Sequence, residues 1–161
     1  MRQEHRFCAE VYHKLYDLMD HEKRVLFCLD GSAAMEASKC DELECATMPD
    51  LCFSFTGAQQ ELRIEAKIME KRRVKLGAGQ RAAWCMGGNG NAMPHLWIGA
   101  DEALTKFWLW DHKVFSDKIA KHAASKGDIL VFQCDDPPHD LSLKQLVVGI
   151  VAWAEKNGFK P

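Results

Sequence analysis

The chain has 161 residues, 47% of them hydrophobic and 27% charged, a net charge of −2 and a pI near 6.4. This length suits one domain, because two would each have little room for a core, and the composition excludes a disordered, collagen-like or low-complexity chain. No apolar run approaches the roughly 20 residues of a membrane span, the opening MRQEHRFCAEVYHK has no apolar signal core, and the mild acidity argues against a purely electrostatic nucleic-acid binder while allowing a local basic patch.

In chain order, Ala9 to Met19 places Val11, Leu15, Leu18 and Met19 at helical spacing, an amphipathic helix. Arg24 to Leu29 (RVLFCL) is a short apolar run stopped by Asp30-Gly31 and reads as a strand. Ser32 to Glu44 fits a helix or a loop. Asp50 to Phe55 (DLCFSF) alternates, with Leu51, Phe53 and Phe55 on one side and Asp50, Cys52 and Ser54 on the other. A turn at Thr56 to Gln60 leads to Glu61 to Met69 (ELRIEAKIM), where Leu62, Ile64, Ala66 and Ile68 oppose Arg63, Glu65 and Lys67. These two strands predict an antiparallel hairpin.

A basic connection (KRRVK) is followed by a short helix from about Gly79 to Met86, ended by Gly87-Gly88. Strands are predicted over His95 to Gly99 and Lys106 to Trp110, a helix over Val114 to Ser125, and a buried strand over Asp128 to Gln133. Asp135 to Asp140 is a loop with two prolines. Ser142 to Asn157 closes the chain as a helix capped by Ser142 and terminated by Gly158. The order predicts an α/β fold bordering on α+β, a mixed central sheet flanked by helices.

Chemistry concentrates on the hairpin. Asp50 opens its first strand and Glu65 lies near the end of its second, so the two converge; Glu65 and Lys67, two apart, share a face. Two carboxylates and an ammonium at one point suit metal-assisted phosphodiester hydrolysis. Carboxylate oxygens match Mg²⁺, a bound metal activates water, and a lysine stabilises charge developing on phosphorus. The HExxH and GxSxG signatures of peptide and ester hydrolysis are missing.

These residues, Pro49-Asp50 and then Glu65-Ala66-Lys67, resemble the PD-(D/E)xK nuclease superfamily with its restriction-endonuclease-like fold. Gln80, on the helix expected after the lysine strand, resembles the glutamine of the virus-type replication-repair and Holliday-junction-resolvase-like branches. The apolar HLWIGAD strand after a glycine-rich turn also fits that layout. The resemblance covers about residues 10–100 and implies a core there, with residues 101–161 an extension packed on the same sheet. It implies Asp50, Glu65, Lys67 and Gln80 as catalytic residues. It implies Mg²⁺ or Mn²⁺ held by Asp50, Glu65 and the Ala66 carbonyl, with Glu10 as the first-helix glutamate and Glu36 a competitor for that place. Lys71, Arg72, Arg73, Lys75 and Arg81 crowd five positive charges after the catalytic strand, where a nucleic-acid backbone would lie.

Blander accounts compete. Asp50, Glu65 and Lys67 would also suit a surface ion pair, Glu10 a helix-terminal charge, Gln80 a solvent-facing residue, Trp84 a core residue, and the basic run a solvated turn. Asp111-His112-Lys113, with Asp101 ten residues before it, is a second such triplet, without a preceding Pro-Asp or a following glutamine. Seven cysteines form no CxxC pair, so reduced thiols in a cytoplasmic setting are expected. Cys40 and Cys45 lack the tight spacing of structural zinc. The expected function is a Mg²⁺- or Mn²⁺-dependent nuclease acting on DNA, with RNA also compatible, no membrane partner, and a homodimer compatible. The alternatives are a catalytically inactive nuclease-fold nucleic-acid-binding protein, or an oligomeric scaffold built on the apolar helix segment LVVGIVAWA.

Overall fold

Alternating apolar residues in neighbouring segments build the centre of the fold. The structure, a computed structural model, describes residues 3–20, 25–30, 50–55, 57–69, 73–77, 93–113, 129–133 and 140–159. Helix α1 (Gln3–Asp20) precedes strands β1 (Val25–Asp30), β2 (Leu51–Phe55) and β3 (Glu61–Ile68). Then come β4 (Arg73–Gly77), β5 (Leu96–Ala100), β6 (Phe107–Asp111), β7 (Ile129–Gln133) and helix α2 (Leu143–Lys156). The main sheet has five strands in the order β1-β2-β3-β5-β6. Its pairs β1–β2, β2–β3 and β5–β6 are antiparallel, and β3–β5 is parallel. The sheet is therefore mixed, with helices packed on it.

One face carries the core. Leu51, Phe53 and Phe55 of β2, Leu62, Ile64 and Ala66 of β3, Leu96, Ile98 and Ala100 of β5 and Phe107 of β6 are buried together with residues of both helices. Helix α1 begins at Gln3 rather than Ala9 because Phe7 and Cys8, both fully buried, carry its apolar stripe back by a turn through Phe7, Val11 and Leu15. Helix α2 buries Leu146, Val147, Ile150 and Ala154 while Val148 stays 47% exposed, so it is one-sided rather than apolar all round. Ser142 caps it in a reciprocal box with Gln145, and Gly158 takes the left-handed conformation just beyond its end.

The opposite sheet face follows from the same alternation. It carries Cys52, Arg63, Glu65, Lys67, Trp97, Gly99, Trp108 and Trp110. Trp97, Trp108 and Trp110 are buried. Cys52 is free and buried, and burial pushes its thiol up to about 12.

The basic stretch expected as a connection is in part a strand. Arg73–Gly77 forms β4 and pairs antiparallel with β7 in a separate two-stranded sheet. Arg73 and Lys75 alternate there with Val74 and Leu76, a period-two pattern masked by the density of charge. Strand β6 and helix α2, from 101–161, pack on the main sheet; β7, from the same stretch, pairs with β4 instead. The helices expected at about 79–86 and 114–125, and the segment 32–44, lie outside the described residues.

Candidate active site at the carboxyl edge of the sheet

The β2–β3 ladder runs from Ser54↔Glu61 to Leu51↔Ile64. One more rung sets Asp50 opposite Glu65, and directly opposed residues share a face. Asp50 has left the strand by then. Its Oδ2 accepts the Ala66 N–H at 2.8 Å, which fixes the carboxylate over the end of β2. Because one residue's N–H and C=O point to the same side of a strand, the Ala66 carbonyl is directed toward Asp50 as well. Glu65 is 1% exposed, and its Oε1 lies 2.7 Å from the Lys67 Nζ.

These residues sit where the parallel strands β3 and β5 end. Lys67 and Gly99 are register partners, as are Glu65 and Trp97. A Cβ on Gly99 would lie 2.5 Å from the Met69 Sδ and 2.8 Å from the Trp110 ring, so the strand beside Lys67 has no room for a side chain. The Gln3 side chain donates to the Glu102 carbonyl just beyond β5, which holds the first turn of α1 at the same edge. That turn carries Glu4.

The electrostatics are those of crowded acids. Burial pushes the Asp50 carboxyl well above the usual range, and the charges of Glu65 and Glu4 push it further; Lys67 and the Ala66 N–H oppose this. Burial works to lower the Lys67 ammonium, yet Glu65, through its charge and hydrogen bond, together with Asp50 and Glu4 raises it. Lys67 is thus held charged by three acids.

The acid of α1 that acts on this group is Glu4. Glu10 pairs instead with Arg6 at 3.3 Å. The two glutamates are six residues apart, about 9 Å along the axis and on different faces of the helix. A helix expected to start at Ala9 leaves Glu4 outside it; the stripe Phe7–Val11–Leu15, followed back one turn, is the signal that places it on the helix. Gln80, Lys71, Arg72, Arg81, Glu36 and Trp84 lie outside the described residues, and Arg73 and Lys75 are placed in β4.

The second acid–lysine triplet has structural work. Asp111 accepts from Trp153 Nε1 at 3.2 Å and from the Lys113 N–H at 2.9 Å. Asp101 closes the β5–β6 turn by accepting the Thr105 and Lys106 N–H groups and the Thr105 hydroxyl. The register sets Asp111 beside Leu96 and the Asp101 turn at the far end of the same pair. The two carboxylates therefore do not meet.

Two histidines are structural elements of the fold. His112 accepts from Trp97 Nε1 at 2.9 Å in a buried contact. His95 accepts the Arg63 main-chain N–H at Nδ1 and packs edge-on against Phe159. Burial, then the charge of Arg63, brings its pKa down to about 4.

The chain matches no family model, no curated protein and no solved structure. Among the described residues no three His, Cys, Asp or Glu side chains form a ready metal cage. The donor set nonetheless fits a hard divalent cation. Asp50 and Glu65 supply carboxylate oxygens and Ala66 a carbonyl. Three acids act on one ammonium here, and holding a cation would require the Asp50 proton to leave.

Proposed function

We propose that this chain is a metal-dependent nuclease that hydrolyses nucleic-acid phosphodiester bonds, DNA in the first instance. The observation that carries the reading is the meeting of Asp50, Glu65 and Lys67 at the carboxyl edge of β3. Crevices at the carboxyl ends of parallel strands are where α/β folds bind ligands.

The resemblance to PD-(D/E)xK nucleases is supported by the order of elements. A helix is followed by the antiparallel run β1–β2–β3, and after a crossover the apolar strand β5 lies parallel to β3. That layout supports reading the core as restriction-endonuclease-like. Asp50 and Glu65 would hold Mg²⁺ or Mn²⁺, with the Ala66 carbonyl beside them and Glu4 completing the charge. When bound, the metal supplies Lewis acidity and an activated water. Lys67 orients the attacking water and stabilises charge on the phosphorus. Gln80 assists by hydrogen bonding. Lys71, Arg72, Arg73, Lys75 and Arg81 contact the backbone phosphates. A cytoplasmic setting accords with Cys52 as a buried free thiol, and no helix among the described residues is long and apolar enough to cross a membrane. A homodimer would add the recognition surface that one small domain has little room for.

The test is incubation with supercoiled, linear and branched DNA, with and without Mg²⁺ or Mn²⁺, beside the Lys67→Ala and Asp50→Asn variants. Metal-dependent cleavage lost in both variants is the expected result. Binding without cleavage in either metal favours an inactive nuclease-fold binding protein. Neither binding nor cleavage removes the nucleic-acid reading and leaves the scaffold.

A further inference from the structure

We propose that Arg63 and His95 form an anion subsite: the Arg63 guanidinium and the His95 Nε2–H are two donors set against one another, and a phosphate oxygen beside them supplies the acceptor that both want. The subsite stands apart from the metal-dependent reading above; only its use for a backbone phosphate rests on that reading.

Hydrogen bonding fixes the tautomer of the ring. His95 Nδ1 accepts the Arg63 main-chain N–H at 3.0 Å, so the proton of the neutral imidazole is on Nε2. Burial and Arg63 bring the His95 pKa down to about 4, which keeps the ring neutral at neutral pH. Its Nε2 lies 3.3 Å from Arg63 Nη2. A guanidinium has no acceptor, so this contact sets a donor against a donor. Both partners are held in place. Arg63 Nε donates to the Met93 carbonyl at 2.8 Å, and the His95 main-chain N–H donates to the Arg63 carbonyl at 2.9 Å. Among the described residues no carboxylate pairs with Arg63. Asp111, whose charge reaches His95, is engaged by Trp153 Nε1 and the Lys113 N–H instead. A half-buried guanidinium and a half-buried imidazole thus converge with hydrogens left to give. An oxyanion takes a hydrogen from each and offsets the charge, and the planar fork of a guanidinium suits a phosphate. Arg63 also shares a face of β3 with Glu65 and Lys67, its Cα about 13 Å from that of Lys67 at about 3.3 Å per residue. A nucleic-acid strand crossing Lys67 carries further phosphates over that distance.

The test reads the His95 ring directly in the full chain. Long-range proton–nitrogen correlation spectra should show His95 as the Nε2–H tautomer. Inorganic phosphate titrated at neutral pH should shift the His95 Nε2 resonance saturably, and chloride at equal ionic strength should not. Arg63→Gln should abolish the response to phosphate. Arg63→Lys, which keeps the charge without the fork, should bind phosphate several-fold more weakly. The wild-type titration against chloride decides the matter even if Arg63→Gln fails to fold. A second arm finds the source of the phosphate. If a DNA backbone supplies it, Arg63→Gln lowers the salt slope of DNA affinity by about one unit. If a free phosphate compound supplies it, that slope is unchanged while inorganic phosphate still binds the wild type. An Nδ1–H tautomer, a response to phosphate no different from that to chloride, or an unchanged response in Arg63→Gln overturns the subsite and leaves the two donors to water. None of these results touches the metal-dependent reading, which stands or falls on cleavage.

Discussion

Asp50 and Ala66 are joined across the end of the hairpin by a hydrogen bond from the Ala66 N–H to the Asp50 carboxylate, 2.8 Å long. The bond places a carboxylate among other acids, where burial and then Glu65 and Glu4 make its ionisation costly. The folded chain keeps the Asp50 proton to a higher pH than the unfolded chain does. Its contribution is therefore complete below the unfolded carboxyl value of about 3.9 and is lost as pH rises through the raised folded value. Asp50→Asn keeps an oxygen for the Ala66 N–H and cannot ionise. Without metal it should be more stable than wild type at neutral pH, by about 0.5–2 kcal/mol, with the gain vanishing near pH 4. Thermal melts at the two pH values check this.

Removing Lys67 should separate catalysis from attachment. Lys67→Ala should lower turnover by roughly 10²–10³, the usual worth of one preorganised charge-stabilising group, without weakening metal binding. Neutralising Arg73 should act on binding instead. It should flatten the salt dependence of DNA affinity by about one slope unit for each phosphate left without its cation. Single-turnover cleavage and binding isotherms across a salt series read the two effects apart.

His95 predicts a loss of stability in acid. Its Nδ1 accepts the Arg63 N–H at 3.0 Å, and a protonated ring cannot accept there. Burial and Arg63 lower its pKa to about 4. The contribution is full above the unfolded value of about 6.5 and falls away as pH drops from there through the folded value. His95→Asn, which retains an acceptor without the titration, should flatten the fall in melting temperature across that window. A fall of unchanged steepness in the variant would assign the acid sensitivity to other groups.

Gly99→Ala should damage the sheet beside the site. The added Cβ meets Met69 Sδ at 2.5 Å and the Trp110 ring at 2.8 Å, and the ring cannot be displaced without moving the buried face. Overpacking of this kind costs about 1–3 kcal/mol. Denaturant midpoints measure it. Because Gly99 is the register partner of Lys67, metal affinity should fall together with stability.

Period-two alternation in DLCFSF and ELRIEAKIM was sufficient to predict the hairpin, and with it the approach of Asp50 to Glu65 and Lys67. These are local matters, because a strand's faces and a short turn's register are properties of a few neighbouring residues. Helix α2 was legible for the same reason, from Ser142 at one end to Gly158 at the other. Pairing between distant segments was not. Arg73–Gly77 read as a charged connection until β7, more than fifty residues on, supplied its partner. Nor did spacing point to Glu4: it offered Glu10, with Glu36 as its competitor. Glu4 and Glu10 lie on one helix, and the tether from Gln3 to Glu102 beyond β5 is what sets Glu4 at the carboxylate edge. The paired charge of Lys67 and the lowered pKa of His95 likewise belong to the folded chain. Burial and the fields of residues distant in sequence produce them, and neither exists before the chain has packed.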